Sequence, residues 1–515
     1  MSKLRKRIAA LLLPVLCTSL ISCGSMPDKK DGSTLIFGSG DYTRICPAMD
    51  EHCEISALLF DGLTDHDGEN RIIPRLAERW EYDEATSTYT FFLAENVLWH
   101  DGEPFTAEDV KFTFEAIMNP ENGSENAPNY EDVEAVTVVD DHTVSFRLAA
   151  VNTAFLEYMT MAVMPKHLLE GEDWQESDFF RKPVGTGPYR LESWDVGQSI
   201  VMKRNENYFA GPANIETIIF KIVINDSARA MQLLSGELDL AQVTPKDAAV
   251  FEEKEDYLVY EMTTSDYRGI LYNFRNPFWQ KNADLIPAVS YAIDRQVILD
   301  AVLLGRGDVA YSPLQRNIYN CEDVEHYDYS PQKAKEVLQS AGCAKDAQGY
   351  WCRDGERIRF TICATAGDQV RVDMAQAAAQ QLQQMGLDVR ADVPAGGIDW
   401  GGQECCIIGW GSPFDADDHT YKVFGTDKGA NYSGYSNALV DQYLTEARQT
   451  EDEGERREAY AKFQKALADQ PAYTFFCYLD AIYVADPAIH GIAEDTVLGH
   501  HGVGIFWNVC EWTMD

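Results

Sequence analysis

One stretch of this 515-residue chain, residues 89–114 (YTFFLAENVLWHDGEPFTAEDVKFTF), joins three kinds of local structure with little slack between them. The alternating apolar residues at 89–93 are typical of a strand, and the HDG sequence at 100–102 indicates a tight turn. Thr106 lies three residues before Asp109, which is the spacing of a capping box at a helix N-terminus. The stretch therefore predicts a strand, a turn and a helix in succession, without a nucleophile or a metal cage.

Other segments of the chain carry a family likeness together with this one. They are residues 58–63 (LLFDGL), 74–80 (PRLAERW), 99–110 (WHDGEPFTAEDV) and 185–189 (GTGPY). In their order and spacing they resemble the bacterial extracellular solute-binding proteins of family 5, the receptors of peptide and nickel ABC importers. The resemblance extends over about residues 33–512, which is nearly all of the chain.

The resemblance implies an α/β fold, namely a two-lobed periplasmic-binding-protein clamp (type II, cluster C) with an extra N-terminal subdomain. The length alone would allow about two to four domains. Lobe I would comprise residues 33–57, 185–280 and 484–515, with residues 58–184 as its extra subdomain. Lobe II would comprise residues 281–483. The chain would cross between the lobes near Asn276 and Tyr483, so we expect a hinge there about which the clamp closes.

Strand and helix patterns alternate within the predicted lobe II. Residues 284–304 predict one long amphipathic helix. Residues 358–363, 370–385 and 387–393 predict a strand, a helix and a strand, an order that favours parallel pairing of the two strands. Residues 405–410 predict a further buried strand.

The N-terminus has the pattern of an export signal. Four basic residues at positions 3–7 precede an apolar run at 8–16, which is too short to be a stable membrane span. The run leads to LISC at residues 20–23, which looks like a lipobox. We therefore predict that residues 1–22 are a lipoprotein signal peptide, that Cys23 is lipidated, and that residues 23–32 are a flexible tether. The protein would be extracytoplasmic and anchored to the cell membrane by lipid; a plain secretory signal or a single anchor helix are the alternatives.

The charge excludes one class of partner. The formal net charge of -40 would repel a phosphate backbone, so nucleic acid is not expected to bind. We interpret the acidic excess as a solvated surface; attraction of cations is a minor alternative.

The cysteines are those of an exported protein. Of the 12 cysteines, removal of Cys17 with the signal and lipidation of Cys23 leave ten. An even set of this size suggests disulfides in an oxidising compartment. Two local pairs each enclose a short loop, and we predict them as disulfides: Cys46 with Cys53, and Cys343 with Cys352. Zinc is not expected at Cys405-Cys406, because the C-x-x-C spacing is absent.

Residues 406–424 (CIIGWGSPFDADDHTYKVF) lead from a predicted buried strand into a loop rich in turn formers and aromatic residues. Ligands bind at strand ends in α/β lobes, so we expect Trp410 to stack on a ligand and Phe414 to form the adjoining wall, unless both belong to the core. Many peptide-binding relatives carry an aspartate shortly after this tryptophan that pairs with the α-amino group of the ligand. Ser412-Pro413 stands there in this chain, and the segment is more similar to the nickel-binding branch.

Two further sites are candidates. His500 and His501, flanked by glycines, could present imidazole nitrogens to Ni²⁺, Cu²⁺ or Zn²⁺, or could be ordinary loop residues. His419 is a weaker candidate, since it could equally belong to a helix cap. Tyr267 and Arg268 could face the cleft, where Arg268 would pair with a ligand carboxylate; an internal ion pair is the alternative.

No catalytic constellation is present: the sequence has no G-x-S-x-G elbow, no Walker-type phosphate loop and no H-E-x-x-H. We therefore predict a non-enzymatic, monomeric substrate-binding lipoprotein that delivers a small solute to the permease and ATPase subunits of an ABC importer. It would have no intrinsic cofactor. A chelate of nickel or another metal with a small organic chelator is favoured as the ligand, an oligopeptide or dipeptide is the alternative, and a secreted hydrolase is a distant one.

Overall fold

The computed structural model describes residues 32–50 and 54–515. The predicted export segment, the lipidation site Cys23 and nearly all of the predicted tether lie outside the described residues, as does Cys53. No helix in the described part of the chain is long and apolar enough to cross a membrane.

The largest sheet contains both parallel and antiparallel strand pairs. From one edge to the other it runs Asp388–Asp392, Arg359–Cys363, Cys405–Ile408, Leu258–Tyr272, Tyr473–Ala485, Leu240–Val243, Thr34–Ser39, Thr217–Ile222, Ser199–Arg204 and Tyr189–Asp195. Asp308–Val309 is a further strand that pairs with Tyr473–Ala485. Arg359–Cys363 and Asp388–Asp392 pair in parallel, which confirms the pairing predicted from the strand–helix–strand order.

Smaller sheets lie beside this one. A four-stranded sheet has the order Ala77–Asp83, Thr88–Leu93, Thr143–Leu148, Val133–Asp140. A three-stranded sheet consists of Ala344–Lys345, Trp351–Arg353 and Glu356–Arg357. Two-stranded ribbons pair Thr64–His66 with Ile72–Pro74 and Ile489–His490 with Thr513–Met514.

Helices connect and cover these sheets. The α-helices of the described residues are Ser56–Leu59, Ala107–Met118, Phe155–Tyr158, Lys166–Leu169, Asp226–Leu234, Pro245–Ala248, Pro277–Asn282, Ile286–Ala292, Arg295–Leu303, Pro331–Ser340, Gln369–Met385, Asp418–Phe424, Ala438–Gln449 and Glu453–Asp469. The 3₁₀ segments are Ala127–Tyr130, Asp178–Arg181, Ala283–Leu285, His500–Gly502 and Ile505–Glu511.

The strand–turn–helix block has the predicted local structure. Thr88–Leu93 is a strand, and Ala107–Met118 is a helix that begins after Thr106. The side chain of Asp109 accepts the backbone N–H of Thr106 at 2.9 Å, which completes the capping box.

The prediction of one helix over residues 284–304 is wrong. The segment contains Ala283–Leu285, Ile286–Ala292 and Arg295–Leu303 as separate helical pieces. Ile293 has extended backbone angles, and the side chain of Asp294 accepts the N–H of Val297 at 3.2 Å. The Asp294 side chain caps the helix Arg295–Leu303, and this requires a non-helical backbone before it. The first helix therefore ends at Ala292, although the apolar pattern continues through the break.

Two long paired strands link separate parts of the hydrophobic core. Met262 and Tyr483 pack in a cluster with the N-terminal strands, whereas Ile270 and Phe476 pack in a cluster formed by residues 270–477. The pairing between Leu258–Tyr272 and Tyr473–Ala485 shifts register between Thr263 and Tyr267. The intervening residues are thereby released from the ladder, and the candidate site is built around this bulge.

The predicted cysteine pair in the three-stranded sheet is brought close together. Cys343 directly precedes Ala344, which pairs in register with Cys352. Both thiols are free in the structure, so the bond is not formed there, and their oxidation stays a prediction. Cys53 lies outside the described residues, so the disulfide between Cys46 and Cys53 also stays a prediction.

Candidate ligand-binding cavity

The main cavity has a volume of about 420 Å³. Its walls come mainly from four parts of the chain, within residues 56–75, 126–162, 411–422 and 496–507. The volume lies toward the lower end of the ~300–1,000 Å³ typical of small-molecule sites. Three imidazoles, those of His66, His419 and His500, contribute to the walls.

Phe414 forms part of one wall, as the sequence predicts. It is 37% exposed, and its ring stacks on His66 with centroids 3.7 Å apart and planes 5° apart. At the edge of the His66 ring, Nε2 lies 2.6 Å from Glu157 Oε2. Burial raises the pKa of Glu157, and the bond to His66 opposes the rise.

A charged pair adjoins His419 in the same wall. Lys422 Nζ lies 2.9 Å from Asp418 Oδ1. Burial works against the Asp418 carboxylate, but Lys422 and then His419 hold its pKa below its usual value. Asp418 therefore presents a negative charge at the cavity. His419 Nδ1 accepts the backbone N–H of Gly411 at 3.1 Å, so a neutral His419 carries its proton on Nε2.

His500 occupies the wall next to the register shift. It is 5% exposed and stacks on Trp410 with centroids 5.5 Å apart. Its Nδ1 lies 3.0 Å from Oδ1 of Asp266, a residue of the released part of the strand. Trp410 does not line the main cavity: it is 4% exposed, belongs to a core cluster and packs against His500, so its stacking on a ligand stays a prediction.

His500 and His501 do not face the same space. His501 lines a second cavity of about 280 Å³, together with Asp266 and Arg268. Its Nδ1 lies 3.3 Å from Arg268 Nη2 and its Nε2 lies 3.4 Å from Arg371 Nη2. Guanidinium groups only donate and a neutral imidazole has a single acceptor nitrogen, so His501 accepts a hydrogen bond from only one of these two arginines. The two histidines thus line different cavities although their ring centroids are 4.0 Å apart, and their joint role as metal ligands stays a prediction.

Tyr267 and Arg268 are also placed differently from the prediction. The Tyr267 ring is 1% exposed, packs edge-on against Tyr473, Phe475 and Tyr478, and does not line the main cavity. Arg268 is 4% exposed and forms an ion pair with Asp266. Arg268 thus takes part in an internal ion pair and lines the second cavity, not the main one, and its pairing with a ligand carboxylate stays a prediction.

The opposite wall contains a second buried ionic group. Arg75 Nε lies 2.7 Å from Asp61 Oδ1, and Asp61 also accepts the hydroxyls of Tyr208 at 2.8 Å and Thr186 at 3.0 Å. Asp61 belongs to the LLFDGL segment of the family likeness. The strand Thr64–His66 begins three residues after Asp61, so these bonds anchor the segment that leads to His66.

No preformed cage for a bare metal ion is present in the described part of the chain, where no three His, Cys, Asp or Glu side chains are grouped suitably. The cavity can offer imidazole nitrogens and carboxylates singly. A metal bound there would need most of its ligands from a chelator.

Sequence reasoning missed His66, Glu157 and Asp266. His66 lies five residues after Asp61 and could have been found from the neighbouring LLFDGL segment, which carries the family likeness. Asp266 precedes Arg268 by two positions, the spacing at which side chains share one face of a strand. Glu157 lies in a short helix with no motif around it.

Known proteins resemble this chain along most of its length. The family model for bacterial extracellular solute-binding proteins, family 5 Middle, matches residues 71–432. In structure the chain is similar to NikZ from Campylobacter jejuni in complex with Ni(L-His), with a TM-score of 0.89 and 34% identity over 94% of this chain and 100% of that one. It is also similar to the oligopeptide-binding protein AppA from Bacillus subtilis in complex with a nonapeptide, with a TM-score of 0.85 and 25% identity over 94% and 99%. The dipeptide-binding protein of Escherichia coli (strain K12) is 26% identical over 476 residues, 84% of this chain and 86% of that protein.

Proposed function

We propose that this chain, which belongs to the family 5 bacterial extracellular solute-binding proteins, captures a metal ion held in a small amino-acid-like chelate, with nickel as the favoured metal. Its fold is the mixed α/β, cluster C periplasmic-binding-protein fold of NikZ and AppA. It is a substrate-binding protein of a peptide/nickel ABC importer and not an enzyme.

The observation that carries the chelate is the position of His500. Its ring lies in the wall of a cavity of about 420 Å³, backed by Trp410 and bonded through Nδ1 to a buried carboxylate. Imidazole is a suitable ligand for Ni²⁺, and a carboxylate behind the ring is the usual support of a metal-binding histidine. The described residues form no three-ligand cage, so the chelator would supply the remaining donors. The 34% identity to a protein solved with Ni(L-His) supports the same cargo.

A short peptide is the second candidate. Asp418 lines the main cavity with a lowered pKa, so it could receive the ammonium group that relatives bind with an aspartate closer to the tryptophan. The cavity volume favours a short peptide over an extended one such as the nonapeptide bound by AppA. Asp418 is already paired with Lys422 at 2.9 Å, and this places the peptide second.

Calorimetry separates the two candidates. The mature protein, purified without refolding, is titrated with NiCl₂ alone, with NiCl₂ plus L-histidine, and with di- and tripeptides, after native mass spectrometry of whatever was purified with it. We expect binding of the nickel–histidine mixture, and a loss of about tenfold or more in His500→Ala, since a lost metal ligand costs at least about 1.4 kcal/mol. The exposed His142→Ala is the matched control and should bind as wild type does. Metal-independent peptide binding, unchanged in His500→Ala, would replace the chelate with the peptide.

Delivery and anchoring belong to the same proposal. The permease and ATPase subunits of the importer would receive the cargo, and a lipid on Cys23 would hold the receptor at the membrane.

A further inference from the structure

We propose that Asp266 is a positioning residue that holds His500 as the Nδ1–H tautomer, so that Nε2 carries the lone pair offered to a ligand in the main cavity. The tautomer itself is a property of the protein alone. Its consequence for binding rests on the proposed function.

The geometry of the Asp266 carboxylate sets the position of the proton. Oδ1 lies 3.0 Å from His500 Nδ1, and Oδ2 accepts the backbone N–H of His501 at 3.0 Å. Asp266 is 2% exposed. A carboxylate is an acceptor only, so the short contact to Nδ1 is favourable when Nδ1 bears the hydrogen. With Nδ1 as the donor, a neutral ring keeps its lone pair on Nε2.

Arg268 does not reverse this assignment. Its Nη1 lies 3.4 Å from His500 Nδ1, farther than the carboxylate, and the same nitrogen forms the ion pair with Asp266. If Nδ1 accepted from Arg268, its lone pair would face the Asp266 oxygen at 3.0 Å, between two side chains that are at most 5% exposed. Repulsion between two acceptors in a buried site is costly, so the anion decides the tautomer. Arg268 neutralises that anion and keeps it buried.

The backbone shows why Asp266 can reach the histidine loop. At the register shift the strand leaves its long partner and bonds to the loop instead, with Ser265 N–H donating to Leu498 O at 3.1 Å and Leu498 N–H to Thr263 O at 2.9 Å. His501 then adopts a left-handed conformation, φ 60°, which is uncommon for a residue other than glycine. The bond from its N–H to Asp266 holds this turn, in which the two imidazole rings lie with centroids 4.0 Å apart and planes at 49°. One carboxylate thus bonds to the His500 ring through Oδ1 and to the His501 backbone through Oδ2.

His419 supplies an internal contrast in the same wall. Its Nδ1 accepts the N–H of Gly411, which places the proton on Nε2. Two imidazoles of one cavity therefore have opposite tautomers, and only His500 has a carboxylate behind Nδ1. A carboxylate in this position also raises the basicity of the ring, and loss of such support typically costs 10–100-fold in metal affinity.

The test begins without any ligand. Protein labelled with ¹⁵N on the histidine rings is studied by long-range ¹H–¹⁵N correlation spectra at a pH where the rings are neutral, with His500→Gln and His419→Gln for assignment. We expect a protonated Nδ1 in His500 and a protonated Nε2 in His419. A His500 ring that carries its proton on Nε2 would overturn the proposal, and this measurement needs no Asp266 variant.

Asp266→Asn then tests the positioning role. The amide has the shape of the carboxylate but can also donate, so we expect His500 to lose its single tautomer and nickel–histidine binding to weaken about 10–100-fold. Asp109→Asn is the matched control, because Asp109 is a buried carboxylate that also accepts two backbone N–H groups. Unchanged His500 spectra and unchanged affinity in Asp266→Asn would refute the proposal. The expected wild-type tautomer together with no nickel–histidine binding by wild type would support the tautomer and refute the proposed cargo.

Discussion

At the scale of single residues, His500 and His501 show how far identical neighbours can differ. The left-handed turn at His501 and the two oxygens of Asp266 direct one ring to the main cavity and the other to Arg268 and Arg371. Local sequence could identify the pair as candidate ligands, because adjacent imidazoles between glycines are visible there. It could not show that the two rings, whose centroids are 4.0 Å apart, meet different partners, since Asp266 and Arg371 are remote in the sequence.

The same limit applies to Trp410, Phe414 and Tyr267: local sequence identifies these residues as candidates but does not fix what surrounds their side chains. Phe414 follows a strand end and reaches the cavity as predicted, because such loops open where a sheet ends. Tyr267 alternates with Arg268 along one strand, so the two cannot both face the same space. Which side faces the core is decided by the partner strand and its aromatic rings, which lie about 200 positions later.

Glu54 allows a prediction at this scale. Its Oε1 accepts the N–H of Gly504 at 3.0 Å, behind the loop that carries His500, and burial raises its pKa to about 7. A carboxyl with a raised pKa in the folded state binds a proton more tightly there than in the unfolded chain. Its contribution to stability is therefore present below about pH 4.5 and is lost as the pH rises to about 7.

We expect Glu54→Gln to remove this loss of stability with rising pH. The free energy of unfolding of wild type should fall relative to the variant between pH 5 and pH 8, by on the order of 2 kcal/mol. Urea unfolding at both pH values measures the difference, with Glu95→Gln at an exposed site as the control. A difference between wild type and Glu54→Gln that does not change with pH would contradict the raised pKa.

At the scale of elements, prediction from sequence was most successful where a cap or a run of apolar residues specified the local structure. The helix Ala107–Met118 and the parallel pair Arg359–Cys363 and Asp388–Asp392 are of this kind. The first residues of the strand Leu258–Tyr272 are mostly exposed or half-buried, and pairing with Tyr473–Ala485 stabilises them. The register shift within it leaves no local signal, although it creates the site.

The small sheet around Cys343 and Cys352 carries a second prediction. Ala344 pairs with Cys352, so the thiol of Cys343 lies one position from its partner, and burial raises the pKa of Cys343. Oxidation in an exported protein should join the two, and closure of such a short loop would stabilise the fold by about 2–3 kcal/mol.

Thiol labelling of the exported protein under denaturing, non-reducing conditions, followed by peptide mapping, should leave Cys343 and Cys352 unlabelled. The paired variant Cys343→Ser/Cys352→Ser should unfold at lower urea concentration than wild type. Cys321→Ser, which alters an unrelated partly buried thiol, serves as the control. Full labelling of both cysteines in the wild-type protein would show that they remain reduced.

At the scale of the whole molecule, the family likeness predicted the architecture better than any local pattern did. The two-lobe division and its crossings near Asn276 and Tyr483 stay predictions. The paired strands link the core clusters, and Thr263, where the register shifts, pairs with Asp480, three residues from Tyr483. Away from the cavity, residues of the proposed extra subdomain contact those of the proposed lobe II. Lys428 Nζ lies 2.5 Å from Glu131 Oε2, and Arg448 Nη1 lies 3.7 Å from Glu131 Oε1.

These contacts make closure testable. If the lobes rotate apart without ligand, opening must break the Glu131 ion pairs, and ligand binding must restore them. Removing the charge of Glu131 should then weaken ligand binding although Glu131 does not line the cavity. Glu131→Gln should raise the Kd about fivefold, which corresponds to about 1 kcal/mol for a partly exposed pair.

Glu134→Gln is the matched control, because Glu134 pairs with Arg147 at 2.7 Å within the four-stranded sheet and its ion pair stays intact during lobe rotation. Its Kd should equal that of wild type. X-ray scattering of wild type should show a smaller radius of gyration at saturation with nickel–histidine than without it, since closure brings the lobes together. Equal radii with and without bound ligand, together with equal Kd values for Glu131→Gln and Glu134→Gln, would mean that the two halves form one rigid body.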